Sequence, residues 1–414
     1  MVGRHERCDA HRHTKLPEQI ERRERTMTDF ILTLNAGSSS LKAGLYSYAD
    51  YQAGRCVARF HVSGIGPEAR VEIELDGERV HRDVRAETTE QGWVILFDAI
   101  SDHISEQTPV AVSHRVVHGG QHYSAPVQVT PAIREALEQL TPLAPLHEPY
   151  NLAGIDQARA RWPSIPQIAC FDTGFHRTQP DIAQRYAIPN SYFDDGVLRY
   201  GFHGLSYEYI AGQIPELFGD RPSDRVIVAH LGSGVSMCAL KDRKSIATTM
   251  GFTALAGLPM STRCGDIDPG VLLYLQEIEG VSTADLAHML QKQSGLLGLS
   301  GISGDMRTLE HSDDPGAQRA IAYFVYQCQR AIGSLTAALG GLDGLIFTAG
   351  IGENSSLIRE QIIAGLDWLG CRIDADRNAQ QAVLIGRDDS EVSLWALPTN
   401  EEAMLAKHAA DCLK

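Results

Sequence analysis

The stretch 31-ILTLNAGSSSLKAGLY-46 decides the fold. An apolar run ends at Asn35, a glycine and three serines follow, and the chain becomes apolar again after Lys42. Apolar segments on both sides of a Gly-Ser turn are typical of a β-hairpin. Glycine lets backbone N–H groups approach an anion closely, while serine hydroxyls and a lysine add donors and positive charge. The stretch therefore predicts a strand pair with a phosphate-binding turn, although a solvent-exposed hairpin would show the same pattern.

The same pattern returns in 226-VIVAHLGSGVSMCAL-240. When the two stretches are aligned on their turns, His230 takes the place of Asn35 and Leu240 takes the place of Leu45. Two such hairpins, each at the start of a long half with mixed helix and strand patterning, predict an internal duplication. Two turns that face each other would bind a polyphosphate from both sides.

Length and composition restrict the class of protein. A chain of 414 residues favours two domains, and a net charge of -15 argues against a general nucleic-acid or membrane-surface binder. The eight cysteines are dispersed and form no C-x-x-C pair, which favours reduced thiols and a cytoplasmic location. No apolar run approaches the roughly 18 residues that a membrane helix needs. Residues 1–26 are polar and charge-dense, so we interpret them as a disordered leader or an early start of the reading frame.

Two segments place charged groups at strand ends. In 112-VSHRVVHGGQHY-123, Arg115 lies among β-branched residues, where a guanidinium needs an anionic partner unless it lies on an edge strand. The histidines of this segment have the spacing of a helical metal site, but its paired glycines disfavour a helix, so zinc is not predicted. In 168-IACFDTGFHRT-178, Asp172 follows an apolar run and either orients a reacting group or a metal, or caps a helix.

Three later segments complete a set of charged residues. His203 stands between glycines in a loop, and Arg263 stands beside Gly265, Asp266 and Asp268 in 249-TMGFTALAGLPMSTRCGDIDPG-270. A guanidinium offers paired, permanently charged donors for a phosphoryl or carboxylate group. Glu401 and its neighbour open a C-terminal helix, where they complement the helix dipole or supply oxygen ligands to Mg²⁺. Anion donors, arginines and a carboxylate pair are the groups that phosphoryl transfer requires.

The 345-LIFTAG-350 run leads into GIGENS, which is similar to a dinucleotide fingerprint. Ser355 stands where the last glycine of G-x-G-x-x-G belongs, and the run lies far from the start of any β-α-β unit. No G-x-x-x-x-G-K-[ST] segment occurs in the sequence. The sequence therefore does not predict a dinucleotide-binding or P-loop fold.

An ordered set of motifs resembles the acetokinase family, within the actin-like superfamily that includes the sugar kinases. The motifs are LNAGSSSLK, HRVVHGG, FDTGFH, YGFHGLS, HLGSG, STRCGDIDPG, SGDMR, AGIGENS and TNEE. The resemblance implies an α/β fold of duplicated actin-like (ribonuclease H-like) domains with the active site in the cleft between them. It implies an N-terminal domain of residues 27–173, to which a helix of residues 402–414 returns, and a C-terminal nucleotide-binding domain of residues 174–401. It also implies a cytoplasmic homodimer that transfers the γ-phosphoryl group of ATP to acetate, giving ADP and acetyl phosphate.

The resemblance further implies the roles of individual residues. Asn35 and Glu401 would hold Mg²⁺ or Mn²⁺, and Lys42 would contact the nucleotide phosphates. The catalytic residues would be Asp172, His203 and Arg263. Arg115 would bind the substrate carboxylate, beside an acyl pocket formed by Val117, Leu146, Phe202 and Ala254. The remaining nucleotide-binding residues would be His230, Leu231, Gly232, Ser233, Gly234, Asp305, Met306, Arg307, Gly350, Ile351, Gly352, Glu353 and Asn354.

The sequence departs from the family pattern at three positions. Ser233 replaces an asparagine in the second turn, Cys264 replaces a serine, and Ala254 stands where a pocket proline is expected. None of these changes removes a charged group, so the expected activity stands while acyl specificity is open. Two alternatives follow: a kinase for propionate or butyrate, and an actin-like ATP-binding regulator, which would not need Arg115 or Arg263.

Overall fold

The computed structural model describes residues 29–37, 40–51, 54–66, 68–75, 77–104, 107–145 and 147–414. The expected leader, residues 1–26, lies outside the described residues. The described chain is a mixed α/β protein with two separate β-sheets. Strands and helices are numbered below in chain order.

The first sheet has the strand order β5-β4-β3-β2-β1-β6-β8-β7 within the described chain. Its strands are β1 (Phe30–Ala36), β2 (Ser40–Ser47), β3 (Cys56–Ser63), β4 (Arg70–Leu75), β5 (Glu78–Asp83), β6 (Ala111–Val116), β7 (Val127–Gln128) and β8 (Gln167–Phe171). The second sheet has the order β11-β10-β9-β12-β13. Its strands are β9 (Arg225–Leu231), β10 (Val235–Lys241), β11 (Lys244–Thr248), β12 (Gly344–Thr348) and β13 (Ser393–Ala396).

The two sheets share one topology, which confirms the predicted duplication. In the first sheet, β3, β2 and β1 pair antiparallel, and β1, β6 and β8 pair parallel. In the second sheet, β11, β10 and β9 pair antiparallel, and β9, β12 and β13 pair parallel. A strand order with two antiparallel partners on one side and two parallel partners on the other is therefore present twice.

The two hairpins differ by one residue in their turns, which corrects the sequence alignment. Leu45 in β2 pairs with Leu32 in β1. The residue of β9 that corresponds to Leu32 is Ile227, and it pairs with Ala239 rather than with Leu240. The second turn is shorter by one residue, so the returning strand β10 shifts by one position. Because side chains alternate between the faces of a strand, this shift changes which side chain faces which layer.

Helices cover both sheets. Among the described residues they are α1 (Thr89–Ile104), α2 (Pro131–Glu138), α3 (Glu148–Arg161), α4 (Asp181–Gln184), α5 (Asn190–Asp194), α6 (Gly204–Phe218), α7 (Pro269–Glu277), α8 (Thr283–Lys292), α9 (Gly295–Ser300), α10 (Met306–Glu310), α11 (Pro315–Leu339), α12 (Ala349–Asn354), α13 (Ser356–Ala364), α14 (Ala375–Ala379) and α15 (Glu401–Cys412). Short 3₁₀ helices cover Thr141–Leu143, Gly174–Thr178 and Asp367–Leu369. Within the described chain, no helix is long and apolar enough to cross a membrane.

The central strands of each sheet are buried on both faces because they are apolar on both sides. In the first sheet, Leu32 packs with Trp93 of α1, whereas its neighbour Ile31 packs on the other face with Leu405 of α15. The second sheet lies between α11 and α6 in the same way. The last helix, α15, therefore packs on the first sheet although it follows the last strand of the second.

Candidate active site

The ends of three neighbouring strands in the first sheet bring an ion pair together. Asn35 lies near the end of β1, Arg115 lies in β6, and Asp172 follows β8 directly. Arg115 donates from Nη2 to Asp172 Oδ2 at 2.5 Å and from Nε to Oδ1 at 3.0 Å. Its Nη1 lies 3.4 Å from Asn35 Oδ1. Parallel strands end at the same edge of the sheet, which is why segments far apart in sequence meet here.

Burial changes the pKa values of both residues of this ion pair. The side chain of Asp172 is 1% exposed and that of Arg115 is 21% exposed. Burial raises the pKa of Asp172, but the guanidinium of Arg115 lies against both carboxyl oxygens and favours the ionised form. Burial by itself would lower the pKa of Arg115, but the carboxylates of Asp172 and Glu401 outweigh it and raise that pKa. Asp172 therefore makes an ion pair, and within the described residues its side chain does not cap a helix.

Two stacked histidines connect this ion pair to the second sheet. His230 lies in β9, and its ring stacks on that of His203 with centroids 4.1 Å apart. Burial and the positive charge of Arg115 lower the pKa of His230 to about 4, while the negative charge of Asp172 acts in the opposite direction. Both residues of the ion pair therefore lie near the ring of His230. His203 precedes α6 with a left-handed φ of 61°. A side chain is rarely held in that conformation without a structural or functional reason.

The next residue explains the sharp turn at His203. The N–H of Gly204 donates to the backbone carbonyl of Asp172 at 2.8 Å. A Cβ atom at position 204 would lie 2.2 Å from that oxygen, so only glycine fits. The backbone of α6 is therefore tied directly to the strand end that carries Asp172.

The side chain of Arg263 reaches the turn between β9 and β10. A Cβ atom on Gly234 would be 3.1 Å from His203 Nε2 and 3.3 Å from Arg263 Nη2, so both groups face this glycine. Arg263 Nη1 donates to the backbone carbonyl of Ala254 at 2.7 Å. Among the described residues, Arg263 has no acidic partner. Burial is the main cause that lowers the pKa of Arg263, and the nearby positive charge of Arg115 lowers it further. The two guanidinium groups therefore lie near each other, and no described carboxylate pairs with Arg263.

The second turn is held by backbone hydrogen bonds. The N–H of Gly232 donates to the carbonyl of Gly234 at 3.1 Å, and the carbonyl of Ser233 accepts from Ser261 at 3.2 Å. A Cβ atom on Gly232 would lie 3.5 Å from Ala349 Cβ, so the turn lies beside the start of α12. Leu231, which precedes the turn, is fully buried. The turn therefore lies next to the GIGENS segment, for which the resemblance implies contact with the nucleotide.

The remaining candidates for the nucleotide lie around this turn. Helix α12 contains Gly350, Ile351, Gly352, Glu353 and Asn354. Of its two glycines, Gly350 has open space beside it, because an added Cβ would meet no atom within 4 Å. Asp305 caps α10 by accepting from the N–H of Arg307 at 3.1 Å, while Arg307 is exposed. Met306 is buried in the core. A contact between Met306 and a ligand would therefore need to use its backbone.

Three of the predicted acyl-pocket residues belong to one apolar layer. Val117 and Phe202 are buried in the same hydrophobic cluster, and the partly buried Ala254 packs against it. The backbone carbonyl of Ala254 also accepts from Arg263, so this loop touches the candidate phosphoryl site. Leu146 lies outside the described residues.

The two candidate oxygen donors for a metal, Asn35 and Glu401, lie beside the ion pair. Glu401 is the first residue of α15 and lies near enough to raise the pKa values of Arg115 and Asp172. Lys42 is exposed and directly opposite Asn35 in the β1–β2 ladder, so both side chains leave the same face. Within the described chain, no group of three or more histidine, cysteine, aspartate or glutamate side chains is arranged to hold a metal ion.

The sequence interpretation missed two residues beside these groups. His147 precedes α3, and burial, then Arg263 and Arg115, lower its pKa to about 4, so a neutral ring lies near both arginines. Arg359 in α13 is fully buried and donates to the carbonyls of Gly352 at 2.9 Å and Glu353 at 2.8 Å. It thereby satisfies free carbonyls at the end of α12. The sequence offered one sign of this role, because Arg359 is the only arginine in the apolar helical segment SLIREQIIAG.

The fold and these groups define the class of protein. A duplicated actin-like α/β fold brings Arg115, His203 and Arg263 together where the ends of its two sheets meet. The chain belongs to the acetokinase family, whose model matches residues 30–407.

Relatives are similar along nearly the whole chain. The acetate kinase of Rhodopseudomonas palustris (strain ATCC BAA-98 / CGA009) is 48% identical, covering 92% of this chain and 98% of that protein. The crystal structure of Porphyromonas gingivalis acetate kinase is 35% identical with a TM-score of 0.83, covering 94% of this chain and 100% of that one. A propionate kinase from Francisella tularensis is 34% identical with a TM-score of 0.86, covering 93% of this chain and 100% of that one.

Proposed function

We propose that the protein is an acetate kinase, which reversibly transfers the γ-phosphoryl group of ATP to acetate to give ADP and acetyl phosphate. One observation carries the proposal. Arg263, with no acidic partner among the described residues, lies with His203 Nε2 beside Gly234 in the second turn. A partly buried guanidinium without an acidic partner favours an anionic ligand, and membership of the acetokinase family supports a phosphoryl group as that anion.

The residues of the site suggest how the transfer proceeds. An acetate oxygen attacks the γ-phosphorus, a new O–P bond forms, and the bond to the bridging oxygen breaks so that its electron pair leaves with ADP. A carboxylate is already anionic, so no general base is needed. Arg263 and the Nε2 side of His203 stabilise the charge of the transferring group, and Arg115 binds and orients the acetate carboxylate. Asp172 holds Arg115 in place through its two carboxyl oxygens.

We propose that Asn35 and Glu401 hold Mg²⁺, with Mn²⁺ as an alternative ion. Mg²⁺ is usually bound by one or two carboxylates together with substrate phosphates and water. A bound Mg²⁺ would neutralise charge on the β- and γ-phosphates. Loss of ATP-dependent activity with EDTA and its return with Mg²⁺ would test the assignment.

The nucleotide would bind along the second turn and α12. The backbone at His230, Leu231, Gly232, Ser233 and Gly234 supports contact with phosphates, because its glycines allow close approach. The open surface at Gly350 supports contact of α12 with the nucleoside. Asp305 and Arg307 would reach it from the start of α10, and Lys42 would reach the phosphates from the first hairpin.

An acyl phosphate trap tests the proposed reaction. The purified full chain is incubated with ATP, Mg²⁺, hydroxylamine and acetate, propionate or butyrate. We expect the hydroxamate of acetate to form fastest. ATP binding without any hydroxamate would support the ATP-binding regulator instead, and faster reaction with propionate would make the protein a propionate kinase.

Ala254 is the observation that favours propionate as a second substrate. In the family pattern a proline stands here, and alanine leaves about two carbons less bulk in the pocket wall. One further buried methylene is worth about 0.8 kcal/mol, or roughly fourfold in binding. The similarity to a propionate kinase supports the same alternative. We therefore expect propionate to compete better here than in a relative that carries the proline.

Ala254→Pro should raise the ratio of kcat/KM for acetate over propionate by a few-fold. The backbone N–H of Ala254 donates no hydrogen bond within the described chain, so proline removes none. Ala256→Pro, in the same loop but outside the predicted pocket, is the control for a stiffer backbone. An unchanged or lower ratio in Ala254→Pro would show that position 254 does not line the acyl pocket.

We also propose two domains, residues 27–173 with the helix of residues 402–414, and residues 174–401. The packing of α15 on the first sheet supports this division. A cytoplasmic location is supported by the seven cysteines of the described chain, which are all free thiols. Cell fractionation would test it.

A homodimer is supported by the apolar surface of α7. No residue of this helix is buried, and Leu273 is 55% exposed, while Ile278 at its end is 69% exposed. Exposed apolar patches of this kind often mark subunit contacts. Sedimentation equilibrium should give twice the chain mass, and Leu273→Glu should shift the protein towards the monomer. A monomeric wild type would contradict the proposal.

A further inference from the structure

A line of buried polar groups stands behind His203, and the proposed reaction does not use it. The hydroxyl of Tyr207 in α6 lies 2.5 Å from Ser236 Oγ in β10. The same Ser236 Oγ lies 2.8 Å from His203 Nδ1. Tyr207 and Ser236 are both fully buried, so water does not satisfy their hydroxyls. We call the three residues the Tyr207–Ser236–His203 relay.

The protons of the relay can be assigned because each hydroxyl has few partners. Within the described chain, Tyr207 Oη bonds only to Ser236, and Ser236 Oγ bonds only to Tyr207 and His203. Burial raises the pKa of Tyr207 well above its usual value, so its hydroxyl keeps its proton. That proton has one acceptor, Ser236 Oγ. Tyr207 therefore donates to Ser236.

The direction of the second bond follows from the cost of an unpaired donor. If His203 carried its proton on Nδ1, Ser236 would accept from both neighbours and its own proton would have no acceptor. If Ser236 instead donated to Tyr207, the hydroxyl proton of Tyr207 would have no acceptor. Either arrangement leaves a buried donor unsatisfied, which costs about 1–3 kcal/mol. In the remaining arrangement Ser236 donates to His203 Nδ1, and every group is satisfied.

The assignment places the ring proton of a neutral His203 on Nε2. That nitrogen faces the second turn, because a Cβ atom on Gly234 would lie 3.1 Å from it. Arg263 Nη2 faces the same point at 3.3 Å. Burial, with His230, Arg115 and Arg263 nearby, lowers the pKa of His203 well below its usual value, so the ring stays neutral. A neutral ring has one N–H donor, and the tautomer decides where it points.

We propose that Ser236 and Tyr207 are positioning residues that hold His203 in its Nε2–H tautomer, so that the ring donates a hydrogen bond to the phosphoryl group at the second turn. The inference rests on the proposed phosphotransfer function of the site. Without Ser236, nothing in the described chain would bind Nδ1. The ring would then rotate or exchange tautomers, and the lone pair of Nε2 would face the anion in part of the molecules.

Nitrogen NMR of the full chain with ¹⁵N-labelled histidine reads the tautomer directly. The His203→Gln variant identifies the signals of His203 by their absence. We expect wild-type His203 to show a protonated Nε2 and an unprotonated, hydrogen-bonded Nδ1. Ser236→Ala should shift the Nδ1 signal and mix the tautomers, Tyr207→Phe should do so less, and Ser236→Thr should restore the wild-type pattern.

Kinetics separate positioning from general structural support. Ser236→Ala should lower kcat about tenfold, as loss of an orienting partner typically does, while KM for ATP and acetate changes less than about twofold. Ser245→Ala is the matched control, since it removes a buried serine that bonds Nδ1 of another buried histidine, His176, at 2.9 Å. It should leave the His203 signals unchanged. Melting temperatures of all variants show whether they fold.

Two results would overturn the relay: a wild-type His203 protonated on Nδ1, or a Ser236→Ala variant with unchanged tautomer and kcat. The NMR measurement needs no turnover. If the protein proved inactive on acetate and propionate while His203 kept the Nε2–H tautomer, the proposed function would fail and the proton assignment would stand. If the protein were an active kinase with the opposite tautomer, only the relay would fail.

Discussion

Arg263→Ala is expected to lower kcat by about 10²-fold or more, the usual cost of losing one donor to the transition state. The guanidinium has no acidic partner among the described residues and lies with His203 Nε2 beside Gly234. Its charge is therefore available to the transferring group. A 10²-fold loss corresponds to about 2.7 kcal/mol of transition-state stabilisation. Steady-state kinetics with ATP and acetate, in both directions, measure the effect.

The fold should survive this change. Within the described chain the side chain makes one hydrogen bond, to the carbonyl of Ala254, which is worth about 1 kcal/mol. Arg263→Lys should recover only part of the rate, because lysine keeps the charge but loses the planar pair of donors. Arg319→Ala, an exposed arginine on α11, controls for loss of a positive charge. An Arg263→Ala enzyme with more than about half of the wild-type kcat would disprove the role.

Asp172→Asn should cause a loss of similar size in kcat/KM, about 10²-fold, together with a lower free energy of unfolding. Asparagine keeps the shape of the side chain and one acceptor oxygen. It removes the negative charge and one of the two carboxylate oxygens that accept from Nε and Nη2 of Arg115. Removing one partner of a buried pair costs about 3–5 kcal/mol. The side chain of Arg115 is 21% exposed, and asparagine can keep one hydrogen bond to it. We therefore expect Asp172→Asn to lower the free energy of unfolding by about 2 kcal/mol. Denaturant unfolding and initial rates give the two quantities.

A second ion pair of the same kind provides the control for Asp172→Asn. Arg225 Nη2 lies 2.5 Å from Asp343 Oδ1 at the other end of the second sheet, and Asp343 is 7% exposed. Asp343→Asn should lower stability but leave kcat/KM near that of the wild type. Equal losses of activity in both variants would show that the effect at Asp172 is only structural.

Removing the arginine instead makes stability depend on pH. In Arg115→Met, Asp172 remains buried without a cation, and its folded-state pKa lies above the unfolded value of about 3.9. A raised pKa of an acid destabilises the fold above that pKa, and the penalty falls as the pH approaches the unfolded pKa. The difference in unfolding free energy between wild type and Arg115→Met should therefore shrink from about pH 8 to pH 5. A difference that does not change with pH would mean that Asp172 keeps a pKa below about 5 in the folded variant and stays ionised across this range.

Local patterns in the sequence predicted much of the fold and the family. The two β-hairpins, the apolar strands that form them and the helix opened by Glu401 appear in the structure where they were expected. These features depend on turn chemistry and on the period of apolar residues, which are properties of a few neighbouring residues. The ordered motifs identified the acetokinase family for the same reason, because each motif is a contiguous segment.

The acids near Arg263 show where local reasoning stops. Asp266 and Asp268 stand close to it in sequence, yet Asp266 accepts from the N–H of Gly257 at 2.7 Å and Asp268 caps α7. Both carboxylates satisfy backbone donors. The sequence therefore determined that a charged loop exists here, whereas only the packed chain left the guanidinium of Arg263 without an acidic partner among the described residues.

The sequence by itself determined the duplicated hairpins, the strand-end positions of Arg115 and Asp172, and the family. Only the tertiary structure decided the one-residue shift of the second hairpin, the stacking of His203 on His230, and the hydroxyls behind His203. The physical reason is that strand periodicity and turns are settled by neighbours along the chain. The partner of a buried polar group depends on which distant segments pack against it, and burial excludes water as a substitute.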